Sequence, residues 1–381
     1  MLAVGACSAE GGNGSSLGGV QGAAGQTVLG GAGIGAAGVG VGGGSSTANA
    51  PANTSGAGGT VAPAAGTAGA SGAVATAGRG GTTGGSAGAA GMTPTGGMGD
   101  PSGCPAAPAG SSDAAIAALA AVNALRVPAG SGCATMVSTL NMSALNHCNY
   151  YAMNKSDMMC IADPHAEVMS CVGFTGAGLG QRMTAAGYTG RGGSSEVMAF
   201  VDNPMSAVAT WVNSVWHRIP TLDPWTTELG YGNATGCDTI DFGRGTMVAP
   251  NDKVVVYPYD GQTGLPTSFD GSHEGPMPPA PGTGWPSSSP INVYAQGLMV
   301  TEHVLTQDGS TTPLDHVWLD ANSTNVDAGV KGFLRTTAFM YGNAPFMANT
   351  KYRVKVTGTH TGGALNLEWT FTTGAASRFG G

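Results

Sequence analysis

The run Asn203-Pro204-Met205-Ser206-Ala207-Val208-Ala209-Thr210-Trp211-Val212-Asn213-Ser214-Val215-Trp216-His217-Arg218 decides how this chain is read. Asn203 is an N-cap residue, Pro204 suits the first helical position, and Val208, Trp211 and Val215 recur at helical spacing. The pattern predicts an amphipathic helix followed directly by a histidine. Working outward, Ser111-Ser112-Asp113 caps an alanine-rich helix with Ile116, Leu119, Val122 and Leu125 on its apolar face, ended by Pro128-Ala129-Gly130. Residues 141–154 and 179–186 read as two further helices, the second stopped at Gly187. Short extended segments at 196–201, 228–231 and 239–242 lie between and after them. Helices interleaved with short strands predict a layered α+β domain.

From Val254-Val255-Val256-Tyr257 onward the helical period disappears. Asp260-Gly261 marks a turn, and β-branched runs at 317–319, 336–340, 352–356 and 365–372 are separated by Gly, Asn and Pro. An antiparallel β-sandwich is predicted, with the proline-rich stretch 277–290 as a long loop or edge. Toward the other end the texture is different again. Of the 67 glycines, 33 fall in the first 100 residues, and Tyr150 is the first aromatic residue. Residues 8–110 carry only Glu10, Arg79 and Asp100 as charges, too little apolar or aromatic side chain to offset backbone entropy, so they are expected to be a disordered Gly/Ala/Ser-rich spacer. A coil of that length reaches ~50–60 Å.

The 381 residues hold 14 Lys and Arg against 22 Asp and Glu, a net charge of -8 with no basic run. A nucleic-acid-binding face is excluded on that ground. No apolar run approaches the ~20 residues that span a bilayer. Cys7 ends the string Leu2-Ala3-Val4-Gly5-Ala6-Cys7, which resembles a lipobox, so residues 1–7 read as a truncated lipoprotein signal with Cys7 as the lipidation site. Cys104, Cys133, Cys148, Cys160, Cys171 and Cys237 are an even set, read as three disulfides in an oxidising compartment, with fifteen pairings open.

The chemistry-bearing residues of the middle region are His147, His165, Glu167, Glu196, His217 and Glu228. His165 lies on the loop Asp163-Pro164-His165, and His217 follows the capped helix. Two loop-borne imidazoles beside a carboxylate can make an open metal site or an acid/base pair. His147, next to Cys148 on a helix flank, reads as packing. Within this middle region neither a Gly-x-Ser-x-Gly elbow nor a His-Glu-x-x-His helix is present. The cluster Gly176-Ala177-Gly178-Leu179-Gly180 lacks the preceding strand that a dinucleotide site needs.

Taken together, Asn123 to Arg126, Ala144 to Met153, His165, Gln181-Arg182 to Tyr188, Glu196, Ala209 to Arg218 and Leu229-Gly230-Tyr231-Gly232 resemble, in order and spacing, the bacterial branch of the CAP superfamily. These are the cysteine-rich secretory, antigen 5 and pathogenesis-related (SCP-like) proteins. The resemblance implies a three-layer α-β-α sandwich with a central cleft holding two His and two acids. It places His165 and His217 as the cleft histidines and Glu196 as a cleft carboxylate, with Zn or Mg as the divalent ion such a cleft can bind. Val197 departs from the family's asparagine, and Ser214 stands near where eukaryotic members carry the second acid. Tyr257-Pro258-Tyr259-Asp260-Gly261 and the closing runs around Tyr352 and Trp369 look like a bacterial Ig-like domain.

The expected organisation is therefore a spacer, a CAP domain over 111–248 and an Ig-like sandwich over 252–374. The expected function is that of an exported, lipid-anchored protein at the cell surface that binds a small molecule, lipid or cell-envelope component, rather than an enzyme. One alternative is a metal-assisted hydrolase in which His165 and His217 hold the ion, Glu196 acts as base and Ser214 donates a hydrogen bond. The other is a non-catalytic surface or matrix protein.

Overall fold

The computed structural model describes residues 8–10, 103–190, 194–245, 249–327, 330–376 and 378–379. Cys7 and nearly all of the expected spacer lie outside the described residues. In chain order the first region runs β1 (Ser8–Glu10), α1 (Asp113–Ala129), β2 (Thr135–Met136), α2 (Ser138–Asn154), α3 (Leu179–Ala185), β3 (Ser194–Ala199), α4 (Pro204–Val212), α5 (Arg218–Leu222), β4 (Glu228–Ala234) and β5 (Cys237–Gly243). Its sheet has the order β1-β3-β5-β4-β2, antiparallel except for the β2–β4 pair.

Alternation along the strands splits this region into three layers. Val197, Ala199, Leu229, Tyr231, Ile240 and Phe242 share a core with α1, α4 and α5 residues such as Val122, Val208, Trp211 and Leu222. The other face meets α2, where Cys148 packs with Met198 and Cys237, and Leu140 packs with Leu179 and Met183 of α3. Glycine sets the approach of α2. A Cβ on Gly230 would lie 2.1 Å from the Leu140 carbonyl carbon, and one on Gly232 2.1 Å from the Leu145 nitrogen, so the helix rests directly on bare strand backbone.

The caps read from sequence are made. Ala115 N–H donates to Ser112 Oγ at 3.2 Å, and Ser206 N–H donates to Asn203 Oδ1 at 2.9 Å. α1 ends within Pro128-Ala129-Gly130 as expected, at Ala129 with Gly130 as its C-cap at φ 87°. One boundary differs from expectation. α2 begins at Ser138 rather than 141, because its N-cap is Val137, which makes no side-chain cap and leaves no signal.

The second region holds β6 (Val254–Tyr257), β7 (Gln262–Leu265), β8 (Ser268–Phe269), β9 (Ile291–Ala295), β10 (Met299–Gln307), β11 (His316–Leu319), β12 (Thr337–Gly342), β13 (Lys351–His360), β14 (Gly363–Thr373) and β15 (Arg378–Phe379). Two four-stranded sheets, β10-β13-β14-β7 and β11-β12-β9-β6, enclose a core that includes Ile291, Val293, Leu305, Met340, Val354 and Phe371. The second sheet is covered on both faces. Val255, Tyr257, Tyr294, Leu319, Phe339 and Tyr341 point away from that core and join the cluster of Trp211, Trp216, Ile219 and Leu222. The two regions therefore share one apolar interior rather than sitting as separate beads.

Arg218 stitches that interior. It is fully buried, donates to the Val212 carbonyl, to Pro290 O at 2.6 Å and to Asn292 Oδ1 at 3.2 Å, and lies 4.7 Å from the centre of the Tyr257 ring. Burial lowers its pKa to about 10. The six cysteines of the described region pair as Cys104–Cys133, Cys148–Cys237 and Cys160–Cys171. No helix among the described residues is long and apolar enough to cross a membrane.

Candidate functional site

The site lies between the sheet and the α2–α3 layer and continues to the start of α5. Glu196 on β3 and Asp241 on β5 are direct cross-strand partners, and both side chains are fully buried. Arg182 of α3 donates to Glu196 Oε2 at 2.6 Å and to the His165 carbonyl at 2.8 Å. His165 Nδ1 donates to Glu196 Oε1 at 2.6 Å. Both carboxylate oxygens of Glu196 are thus taken, one by a ring and one by a guanidinium.

Burial alone would raise the Glu196 carboxyl. The charges of Arg182 and His147 and the hydrogen bond from His165 outweigh it and hold the pKa well below the ordinary range. Asp241 goes the other way: burial and the neighbouring Glu196 charge push it well above the usual carboxylate range, against the pull of Arg182. Neither Asp241 oxygen has a hydrogen-bond partner among the described residues.

His147, read from sequence as packing, belongs to this network instead. Its Nδ1 donates to Glu167 Oε1 at 2.9 Å, and its Nε2 sits 2.9 Å from the Pro164 carbonyl and 3.8 Å from Glu196 Oε1. Glu167 also accepts from the Thr175 and Gly176 backbone N–H groups at 2.5 and 3.2 Å. Burial would raise the Glu167 carboxyl, but the His147 and Thr175 hydrogen bonds bring it below its ordinary value. Together these contacts fix the loop that carries His165, which the Cys160–Cys171 bridge also closes.

His217 lies at the N-terminus of α5, buried at 0% exposure. It does not share Glu196. Its Nδ1 donates to Glu274 Oε1 at 3.1 Å, and Glu274 belongs to the sandwich region, just after the 3-10 turn Gly271–His273. Burial lowers the His217 pKa, with Glu274 opposing and the nearby His165 ring adding to the decrease. The Nε2 atoms of His165 and His217 are both buried and have no partner among the described residues.

Ser214 is not turned to this chemistry. Its hydroxyl donates to the Trp211 carbonyl at 2.9 Å, closing the end of α4. Glu228, at the start of β4, accepts from the Tyr188 hydroxyl at 2.6 Å, elsewhere on the sheet. The residues expected to line a cleft are buried: His165 is 6% exposed, while Glu196 and His217 are at 0%. The segment bearing Glu274 covers the His217 end, and nothing in the middle third of the sequence announces it.

The donor set can be tested against a metal. Two imidazole nitrogens are free, each on a ring whose other nitrogen is held by a carboxylate, as metal-bound histidines usually are. Glu196, expected as a third ligand, stands behind a ring with both oxygens engaged. Among the described residues no group of three or more His, Cys, Asp or Glu is arranged to hold an ion. Two nitrogens fall short of the three protein ligands common in catalytic zinc sites.

A similar solved structure is the 1.5 Å crystal structure of an extracellular protein containing a SCP domain from Bacillus anthracis str. Ames. The similarity runs at 19% identity with a TM-score of 0.29, over 34% of this chain and 40% of that one. No protein-family model matches the chain, and no curated protein does.

Proposed function

We propose that the chain is an exported binding protein of the CAP type, taking its ligand at the paired imidazoles of His165 and His217. One observation carries the reading: two buried Nε2 atoms, each on a carboxylate-held ring, have no hydrogen-bond partner among the described residues. An unmet buried polar atom costs about 1–3 kcal/mol. A ligand bearing hydroxyl or ammonium donors, on a small molecule, a lipid headgroup or an envelope component, would remove that cost at both. Export is supported by the three disulfides, which persist in oxidising compartments. Anchoring through Cys7 belongs to the same proposal.

The test is solvent extraction and mass spectrometry of the full chain purified without denaturant. A bound molecule is expected in the wild type, reduced at least tenfold in His165→Ala and in His217→Ala. Identical extracts from the wild type and the double variant would sink the reading.

The carboxylate-backed rings favour one second reading, a divalent ion held by His165 and His217. Glu196 would then orient His165 rather than serve as ligand or base, and two imidazoles suit zinc rather than magnesium, which takes oxygen ligands. Stoichiometric zinc in the wild type, absent from the double variant, is the result that reading expects.

A further inference from the structure

We infer that Glu274, contributed by the sandwich region, is the positioning residue that fixes the tautomer of His217, so that the sandwich is a working part of the binding centre. The inference rests on the reading of the paired imidazoles as that centre. A carboxylate only accepts, so the 3.1 Å contact puts the ring proton on Nδ1 and leaves the lone pair of a neutral ring on Nε2. His165 is set the same way by Glu196. The two rings are thus matched in tautomer, although their carboxylates come from different regions of the chain.

Glu274 is itself held in register by the residues beside His217. Its Oε1 also accepts from the Trp216 backbone N–H at 2.6 Å, and its Oε2 accepts from the Val215 N–H at 3.1 Å. The Trp216 indole N–H donates to the Pro276 carbonyl at 2.6 Å, two residues further along the same segment. Three donors therefore converge on one buried carboxylate. An amide cannot serve all three, because it offers one acceptor oxygen and places an NH2 against a backbone N–H or against the ring. If the NH2 faces His217, Nδ1 becomes the acceptor and the free lone pair at Nε2 is lost.

The experiment is nitrogen-15 NMR of the histidine rings in the full chain, combined with titration of inorganic zinc as the probe. In the wild type the neutral His217 ring should carry its proton on Nδ1; a proton found on Nε2 overturns the inference, and this measurement needs no variant. In Glu274→Gln the His217 signals should shift while those of His165 stay, and zinc affinity should fall about ten- to a hundredfold. Glu302→Gln, on an exposed strand of the sandwich, should do neither. Unchanged zinc affinity together with an unchanged His217 tautomer in Glu274→Gln overturns the inference. A wild type that binds no zinc but keeps the Nδ1 proton supports the positioning role and counts against the metal reading alone.

Discussion

Asp241 is a buried carboxyl that the binding reading leaves without a task, and its surroundings give it a testable sign. It faces Glu196 across the strand pair, with Arg182 and Ser143 nearby. Its folded pKa is raised, so folding takes up a proton at any pH between the unfolded value, about 3.9, and the folded one. Stability contributed at this position is therefore greatest below about pH 4 and declines as pH rises. Asp241→Asn removes that dependence while keeping the shape. The variant should match the wild type in Tm near pH 4 and exceed it increasingly toward pH 7; a constant offset across that range would refute the assignment. Glu196 has the opposite sign, its contribution being present above about pH 4.3 and lost as pH falls through its depressed folded pKa. Sequence exposed these residues unevenly. His165, Glu196 and His217 stood out through the order of short motifs around them. Asp241 carried a quieter signal, an acid alternating with Ile240 and Phe242 in a strand with no wet face. Glu274 carried none, since Gly271-Ser272-His273-Glu274-Gly275-Pro276 reads as an ordinary turn and its partner is 57 residues away.

At the scale of elements, the disulfides divide their work between stability and position. Cys148–Cys237 spans 89 residues and ties α2 to β5, Cys104–Cys133 spans 29, and Cys160–Cys171 spans 11. Loop-closure entropy ranks them at about 4.5, 3.5 and 3 kcal/mol. Replacing each pair by serine should lower the guanidinium midpoint in that order. The short bridge should matter most for binding, because it closes the loop holding His165 and Glu167. If its removal costs the most stability and leaves ligand retention intact, this division is wrong. Element boundaries were legible where a side chain does the capping, as at Ser112 and Asn203, and illegible at Val137, where none does. The strands of the second region were legible as strands. Double burial of β9 and β12 was not, because Ile-Asn-Val-Tyr-Ala and Thr-Ala-Phe-Met-Tyr-Gly suit a one-sided sheet nearly as well as a central one.

At the scale of the whole molecule, the change of texture near residue 250 reads as a domain boundary in sequence, yet the apolar interior runs through it. Cutting there would strip Tyr257, Tyr294, Phe339 and Tyr341 from Trp211, Trp216 and Ile219 and leave a large aromatic and aliphatic face in water. Arg218 would lose its bonds to Pro290 and Asn292 and its contact with Tyr257, so the start of α5 would lose its anchor as well as its cover. Residues 103–250 expressed alone should therefore bind ANS, aggregate and show no cooperative melt, whereas the full chain should unfold in one transition. A fragment that melts cooperatively near the full-chain Tm would mean the shared interior adds little, and would put Glu274 on a detachable module. The prediction joins stability to function, because the surfaces that keep the first region folded are the ones that bring Glu274 against His217.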